Sequence, residues 1–464
     1  MALRVPTPTP ADSDKVRDNL ASTVAVAGGT RRAATTLLDQ GFSSVSNFAM
    51  GVAVARVAGA PGLGAFAFAY AAWLVLADMH RGLITDPMAI EGDARQAGTQ
   101  GIKRGFAAEM LLGLSAAVLF AVLGAGLRLL GAHAFATAML CLAPWLPLLL
   151  LQDYWRCVSF MRRQPGRALA NDTVFNGVQG AAFVAIFLTH AHSIAGVITA
   201  WGLGASAGAA YGLYQYRVMP TVRDGLSLIR SRWRMSRWLT GTSLVGWGSS
   251  QAYVYVAGAL LGPAGLGGLK AAQALVAGPA GVLVQAGGSI GLPEASNAYA
   301  EKGWGGLVKV SRVVTVAGVT SFAGGALVVV VFGRELLSRI YGPQFAHMEG
   351  VAVLIAVAYL FMGLSVGPVL VLKQTRNAQS VFYTQVLALV VSLSSVAVLT
   401  LRFGVTGTAC ATIATYVSAA AGVRWYQHVV GRSEAGDPPS SELSRGGSHG
   451  CGASAQRRTA GVQR

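Results

Sequence analysis

Long apolar runs constrain this chain more than any other feature of its sequence. Twelve stretches stand out, at 33–58, 63–89, 105–130, 134–155, 168–190, 193–214, 236–260, 265–290, 308–332, 348–372, 379–401 and 405–428. A helix needs about 20 mainly apolar residues to cross a bilayer. Within hydrocarbon, only helices and closed barrels satisfy every backbone polar group. Barrel strands alternate every second residue over about ten residues, and these runs do not. The runs therefore predict an all-α polytopic membrane protein with about twelve transmembrane helices. Only 12% of residues are charged and 53% are hydrophobic. A soluble surface needs roughly a quarter charged, so much of this surface must face lipid.

The formal net charge is +17. Concentrated on one soluble face, such a charge would suggest nucleic acid. Here the Arg and Lys residues lie in short segments between apolar runs, so they report membrane topology and no nucleic-acid partner is expected. With the N-terminus inside, 18 of these residues fall in inner loops and 5 in outer ones. The positive-inside bias then places both termini in the cytoplasm. No removable signal sequence is expected, because Pro6, Pro8 and Pro10 interrupt a polar start. Residues 1–30 and 429–464 read as disordered cytoplasmic tails. Cys141, Cys157, Cys410 and Cys451 form neither a metal-ligand spacing nor a CxxC pair, and no metal is expected.

An internal repeat divides the chain. "GAPGLGAFAFAY" at 59–70 recurs as "GPAGLGGLKAAQ" at 262–273, an offset of 203 residues. "ITDPMAIEGD" at 84–93 aligns with "IGLPEASNAY" at 290–299. Each copy of the glycine-rich turn joins the first and second helix of a six-helix block. An even number of spans per block makes the repeat parallel about the membrane normal. The expected organisation is a six-helix bundle at 31–215, a basic cytoplasmic linker at 216–235 and a second six-helix bundle at 236–428.

Two bundles, a polar first helix and the "GAPGLGAF" turn resemble the multidrug/oligosaccharidyl-lipid/polysaccharide (MOP) exporter superfamily. The stretches "LLDQGFSSVSNFAMGVAVARVAGAPGLGAFAFAY", "LQDYWRCVSFMRRQPGRALANDTVFNGVQ" and "LLSRIYGPQFAHMEGVAVLIAVAYLF" resemble its polysaccharide transporters of the O-antigen flippase type. The resemblance covers about 30–428. It implies a MATE-like fold around a central cavity. It also implies transport of an undecaprenyl-diphosphate-linked glycan from the inner to the outer leaflet by alternating access, without an enzyme's covalent chemistry. Polymerases and glycosyltransferases of the same pathway are the partners it implies.

Polar residues inside the runs are the site candidates. Asp39 and Asn47 belong to a polar stripe with Gln40, Ser43, Ser44 and Ser46 on the first helix. Asp172, Asn176 and Gln179 stand at i, i+4 and i+7 on the fifth. A stripe of this kind facing lipid is costly, so it must face protein or a hydrated cavity. Deep in the second and eighth helices are Asp78, His80 and Arg81, then Lys270 and Gln273. A diphosphate needs cationic partners, and Arg81 and Lys270 are the candidates. Two further readings stand beside this one: an Asp78–Arg81 ion pair one turn apart, and Lys270 snorkelling to headgroups. Asp78, Glu109 and Asp172 are candidates for coupling to a proton or sodium gradient; local pairing of Glu109, Asp153 and Asp172 with Arg104 or Arg156 is the competing reading.

Two other functions remain on the same sequence. A cation-coupled multidrug antiporter would centre its cavity on carboxylates. A glycan polymerase or ligase would need a sizeable outer loop, whereas the longest, around "RELLSRIYGPQFAHME", is about 15 residues. No GxxxxGK[ST] phosphate loop occurs, so no cofactor is expected.

Overall fold

The computed structural model describes residues 47–90, 98–189, 193–219, 222–375 and 378–436, side chains at 222–224, 278–290, 292–293, 378 and 433–436 excepted. Among the described residues there is no strand. Among the described residues, eight helices are long and apolar enough to cross a membrane. Several are too long for one pass. The stretch Gly225–Ala277 has 53 residues and would run about 80 Å if straight, against a hydrocarbon core of about 30 Å. Such helices must double back, and glycines mark where. Gly59, Gly262, Gly303 and Gly404 all have φ between 59° and 69°, a region that favours glycine because it has no Cβ. Divided there, the described residues form twelve helices. These are α1 (47–58), α2 (60–90), α3 (Gly98–Leu129), α4 (His133–Met161), α5 (Pro165–Leu188) and α6 (Ile194–Tyr216). The second set is α7 (222–261, with a turn at Ala252), α8 (263–302), α9 (304–340), α10 (Glu349–Gln374), α11 (378–403) and α12 (405–436).

The two copies of the repeated turn touch each other. A Cβ placed on Gly64 would collide with the carbonyl oxygen of Pro263, and one on Gly267 with that of Ala60. Gly64 and Gly267 are equivalent under the 203-residue offset, and so are Ala60 and Pro263. The contact is thus reciprocal, as around a two-fold axis. Small residues let the α2 and α8 backbones meet here. Leu63 and Leu266, also equivalent, are both buried beside the crossing. At the same end, the Arg56 guanidinium donates to the carbonyls of Ile340 (2.8 Å) and Arg339. It thereby satisfies carbonyls that the last turn of α9 leaves unpaired.

The basic segment between the repeats is helical from Val222 and continuous with α7. Gly225 lies against the backbone of Ala107 and Ala108, and Leu228 is buried among side chains of α2, α3, α4 and α6. One face of the segment therefore packs on the first six helices, while Leu226, Trp233 and Trp238 stay exposed. The last helix runs to Gly436, beyond the boundary expected at 428. Pro144 sits in a 3-10 turn, Ala143–Trp145, that interrupts α4, and Pro368 lies inside α10. In α6, Gly202 and Gly212 admit the indoles of Trp145 and Trp155, where a Cβ would strike either ring. Residues 1–30 and 437–464 of the tails, together with Asp39, Gln40, Ser43, Ser44 and Ser46 of the polar stripe, lie outside the described residues.

Candidate functional site

Charged groups gather at one depth of the first six helices. His80 of α2 is fully buried, with Nδ1 2.7 Å from Glu109 Oε2 on α3 and Nε2 3.1 Å from Asp153 Oδ2 on α4. Arg81 reaches the same Asp153 oxygen at 3.4 Å, while its side chain stays 47% exposed. Locally the backbone helps: residues Arg81–Thr85 form a π-helical turn, which shifts the register at the point where the charged side chains leave α2. Gly82 fits this turn against the backbone of Leu239 and Thr240 in α7.

The geometry sets a proton count. An ionised carboxylate only accepts hydrogen bonds, and a neutral imidazole donates at one nitrogen. With a carboxylate oxygen at each nitrogen, the His80–Glu109–Asp153 set must hold one proton more than a neutral imidazole and two carboxylates. With that proton and Arg81, the four groups sum to neutrality, which burial demands. Glu109 Oε1 is buried with no hydrogen-bond partner among the described residues. His80, Asp153 and Cys157 also offer ligand atoms within 4.8 Å of one another. Both imidazole nitrogens already face carboxylates, and a guanidinium abuts Asp153. The arrangement suits an ion-pair cluster better than a metal centre.

A second polar ladder lies on α4, α5 and α6. Gln152 Nε2 donates to Asp172 Oδ1 (2.8 Å) and Asn171 Oδ1 (3.1 Å), and Asn171 Nδ2 donates to the Gly208 carbonyl (2.7 Å). Arg156 Nε pairs with Asp172 Oδ2 at 3.2 Å.

The other half builds a different site. Lys270 Nζ donates to Tyr253 Oη (2.9 Å) and Gln273 Oε1 (3.0 Å), and Tyr253 Oη donates to the same Gln273 oxygen (2.6 Å). The ammonium also lies 5.0 Å from the centre of the Tyr253 ring, within cation–π range. Among the described residues, no carboxylate pairs with it. Tyr253 and Gln273 border a cavity of about 330 Å³ among α7, α8, α10, α11 and α12. Its wall carries the hydroxyls of Thr384, Thr415 and Tyr416.

The structure thus gathers four of the expected site residues into two groups. Arg81 and Glu109 share the His80 cluster; Lys270 and Gln273 share the second. Arg81 turns to Asp153 and not to Asp78, which stays half-buried on the same helix. Glu109 meets His80 and not Arg104, whereas Asp172 does meet Arg156. Lys270 turns to Tyr253 and Gln273. Asn176 Nδ2 bonds to the Asp172 carbonyl, Gln179 Nε2 lies 3.2 Å from Met50 Sδ, and Asn47 is exposed at the first described turn of α1. His80 as the hub and Tyr253 as the partner of Lys270 were not anticipated. Pairing across helices carries no sequence spacing; the visible signal was a histidine inside an apolar run.

A family model described as polysaccharide biosynthesis protein matches residues 30–294, more than half of the chain. The chain belongs to this family. Among solved structures, it resembles a multidrug resistance MATE family transporter of the MOP superfamily in its inward-facing conformation. The TM-score is 0.73 at 12% identity, covering 85% of this chain and 96% of that one. An outward-facing conformation of a MATE family transporter gives a TM-score of 0.59 at 12% identity over 88% and 96%. A MOP superfamily transporter from Pyrococcus furiosus, described by the reverse polarity of its binding pocket, gives 0.60 at 12% identity over 89% and 96%. No curated protein matches the sequence. This polysaccharide biosynthesis family member is therefore a multi-pass membrane protein with the MOP-type transporter fold.

Proposed function

We propose that this chain moves a lipid-linked glycan, carried on undecaprenyl diphosphate, from the inner to the outer leaflet of a bacterial plasma membrane. The observation that carries the reading is Lys270. Among the described residues only neutral groups hold its ammonium, beside a mainly apolar cavity whose wall carries hydroxyls and amides, so its charge is left for an anionic ligand. Arg81 supports it: the guanidinium is anchored to Asp153 yet half exposed, and its planar fork suits a phosphate. A multidrug antiporter on this fold would present carboxylates to a cationic substrate. Here Glu109, Asp153 and Asp172 each have a cationic or imidazole partner. Hydroxyls and amides around the C-terminal cavity suit a glycan. Short outer loops leave no room for a polymerase site.

Transport would proceed by rocking of the 31–215 bundle against the 236–428 bundle, without covalent change. The greater likeness to an inward-facing than to an outward-facing relative supports a cytoplasm-open state, with the Gly64–Gly267 crossing sealing the opposite end. The proton shared by His80, Glu109 and Asp153 is the candidate for energy coupling. Asp78, Asp86, Arg81, Arg156 and Cys157 are the other titratable or charged groups nearby. Polymerases and glycosyltransferases of the pathway are the proposed partners.

Deleting the gene should trap an undecaprenyl-linked glycan on the cytosolic leaflet. Re-expressed Lys270→Ala or Arg81→Ala protein, present at normal level, should fail to release it. Full export by both variants would remove the reading. Collapsing the proton gradient alone should stop export; export that persists without any ion gradient excludes coupling.

A further inference from the structure

Neither site uses the outer flank of the second six helices. There α9 is largely bare, with Val313, Val316, Val330 and Val331 exposed, and a groove runs along each side of it. One groove, of about 660 Å³, carries both signs of charge: Glu294, Glu301, Lys302 and Lys309. The other, of about 720 Å³, lies between α9, α10 and α12 and carries Arg312, Arg424, His428 and Arg432. Among the described residues, no carboxylate lines this second groove. None of its three arginines has an ion-pair partner among the described residues either.

The groove is built from specific contacts. Positions 424, 428 and 432 occupy successive turns of one α12 face, opposite Arg312. At the groove's end, Gly431 lets α12 close on Trp304, where a Cβ would lie 2.8 Å from the indole. Tryptophan is the residue that seats a helix at headgroup level. Along its floor, Gly367 brings α10 against the Ser311 carbonyl and the Thr315 hydroxyl. Arg312 stands eight residues beyond Trp304, and Arg424 eight before Arg432. At 1.5 Å per residue, the cationic stretch is about 12 Å deep. Further in, the wall turns apolar at Val316, Val319 and Leu364.

We propose that this groove binds an anionic phospholipid of the surrounding bilayer, its phosphate among the arginines and an acyl chain along the valines. Arginines with no ion-pair partner among the described residues, beside a tryptophan, match a headgroup phosphate by charge and geometry, and the apolar continuation matches a hydrocarbon chain. The groove shares no residue with the Lys270 cavity or the His80 cluster. A bilayer lipid is therefore assigned here, and not the transported one.

The test is lipid retention by the full-length protein in detergent, read by native mass spectrometry with phosphatidylglycerol, cardiolipin or phosphatidylcholine added. The wild type should retain phosphatidylglycerol or cardiolipin at least tenfold better than phosphatidylcholine. The Arg312→Gln/Arg424→Gln variant should fall to the phosphatidylcholine level, while Lys302→Gln/Lys309→Gln, in the neighbouring groove, should match the wild type. Val316→Trp, which fills the apolar stretch and leaves every charge in place, should lose retention as well; it carries the test alone if the arginine variant does not fold. Equal retention of charged and zwitterionic lipid by the wild type would overturn the proposal, as would unchanged retention in the arginine or tryptophan variants. Preference for a polyprenyl diphosphate over both phospholipids would overturn it too, and would give the groove to the transported lipid.

Discussion

At the scale of single residues, His80 decides more than any other side chain. Removing it leaves Glu109 buried and unpaired, a loss of about 3–5 kcal/mol for a broken buried pair. His80→Ala should therefore lower the melting temperature in detergent clearly. Adding Glu109→Gln to that variant removes the stranded charge and should restore much of the loss. A double-mutant cycle measures the coupling; strictly additive effects would show that the 2.7 Å contact carries no energy. Glu109→Gln alone should keep the fold, because the amide replaces the carboxylate in shape, but should uncouple export from the proton gradient. Export by this variant that still responds fully to that gradient would move the coupling proton elsewhere.

The same residues show what a sequence exposes and what it hides. Asp78, His80, Arg81 and Lys270 stood out because charge inside an apolar run is rare. Their partners did not, since His80 meets Asp153 across 73 positions and periodicity extends only along one helix. Lys270 was easier to misread: a long side chain near a helix end reaches headgroups equally well in sequence terms. Gln273 stands one turn on along the same helix, and only the packing of α7 on α8 brings Tyr253 to it.

At the scale of helices, the spans themselves were legible, because hydrophobic length is a property of the local chain. So were the joints, since Gly59, Gly262, Gly303 and Gly404 all fall in the gaps between the apolar runs. Helix ends were less so, because a helix continues through polar residues beyond its apolar run: α12 reaches Gly436, and part of the basic linker forms the first turns of α7. Close approach is the second property of this level. In α6, Gly212 faces the rigid indole of Trp155. Gly212→Ala should therefore destabilise by about 1–3 kcal/mol through overpacking, whereas Gly177→Ala on α5, where a Cβ meets nothing within 4 Å, should be neutral or slightly stabilising. Equal melting temperatures for the two variants would mean that the α4–α6 contact yields freely.

At the scale of the whole molecule, the reciprocal crossing of Gly64 and Gly267 joins the halves at the end where Arg56 caps α9. The proposed alternating access requires that crossing to part. Gly64→Val should prevent it from closing, favour the state open at that end and abolish export with protein level retained. A cysteine at Gln344, which lies beside Gly59, should then react faster with a membrane-impermeant thiol reagent added outside. Unchanged labelling would show that the crossing does not act as a seal.

A patch that meets its own copy is also self-complementary. Each half therefore carries, in its glycine-rich turn, the surface by which two identical half-length chains would associate, with no second surface to evolve. Cut between α6 and α7 and expressed as two polypeptides, the pieces should find one another through this handshake and regain export; the covalent tether would then serve mainly to keep them in equal number.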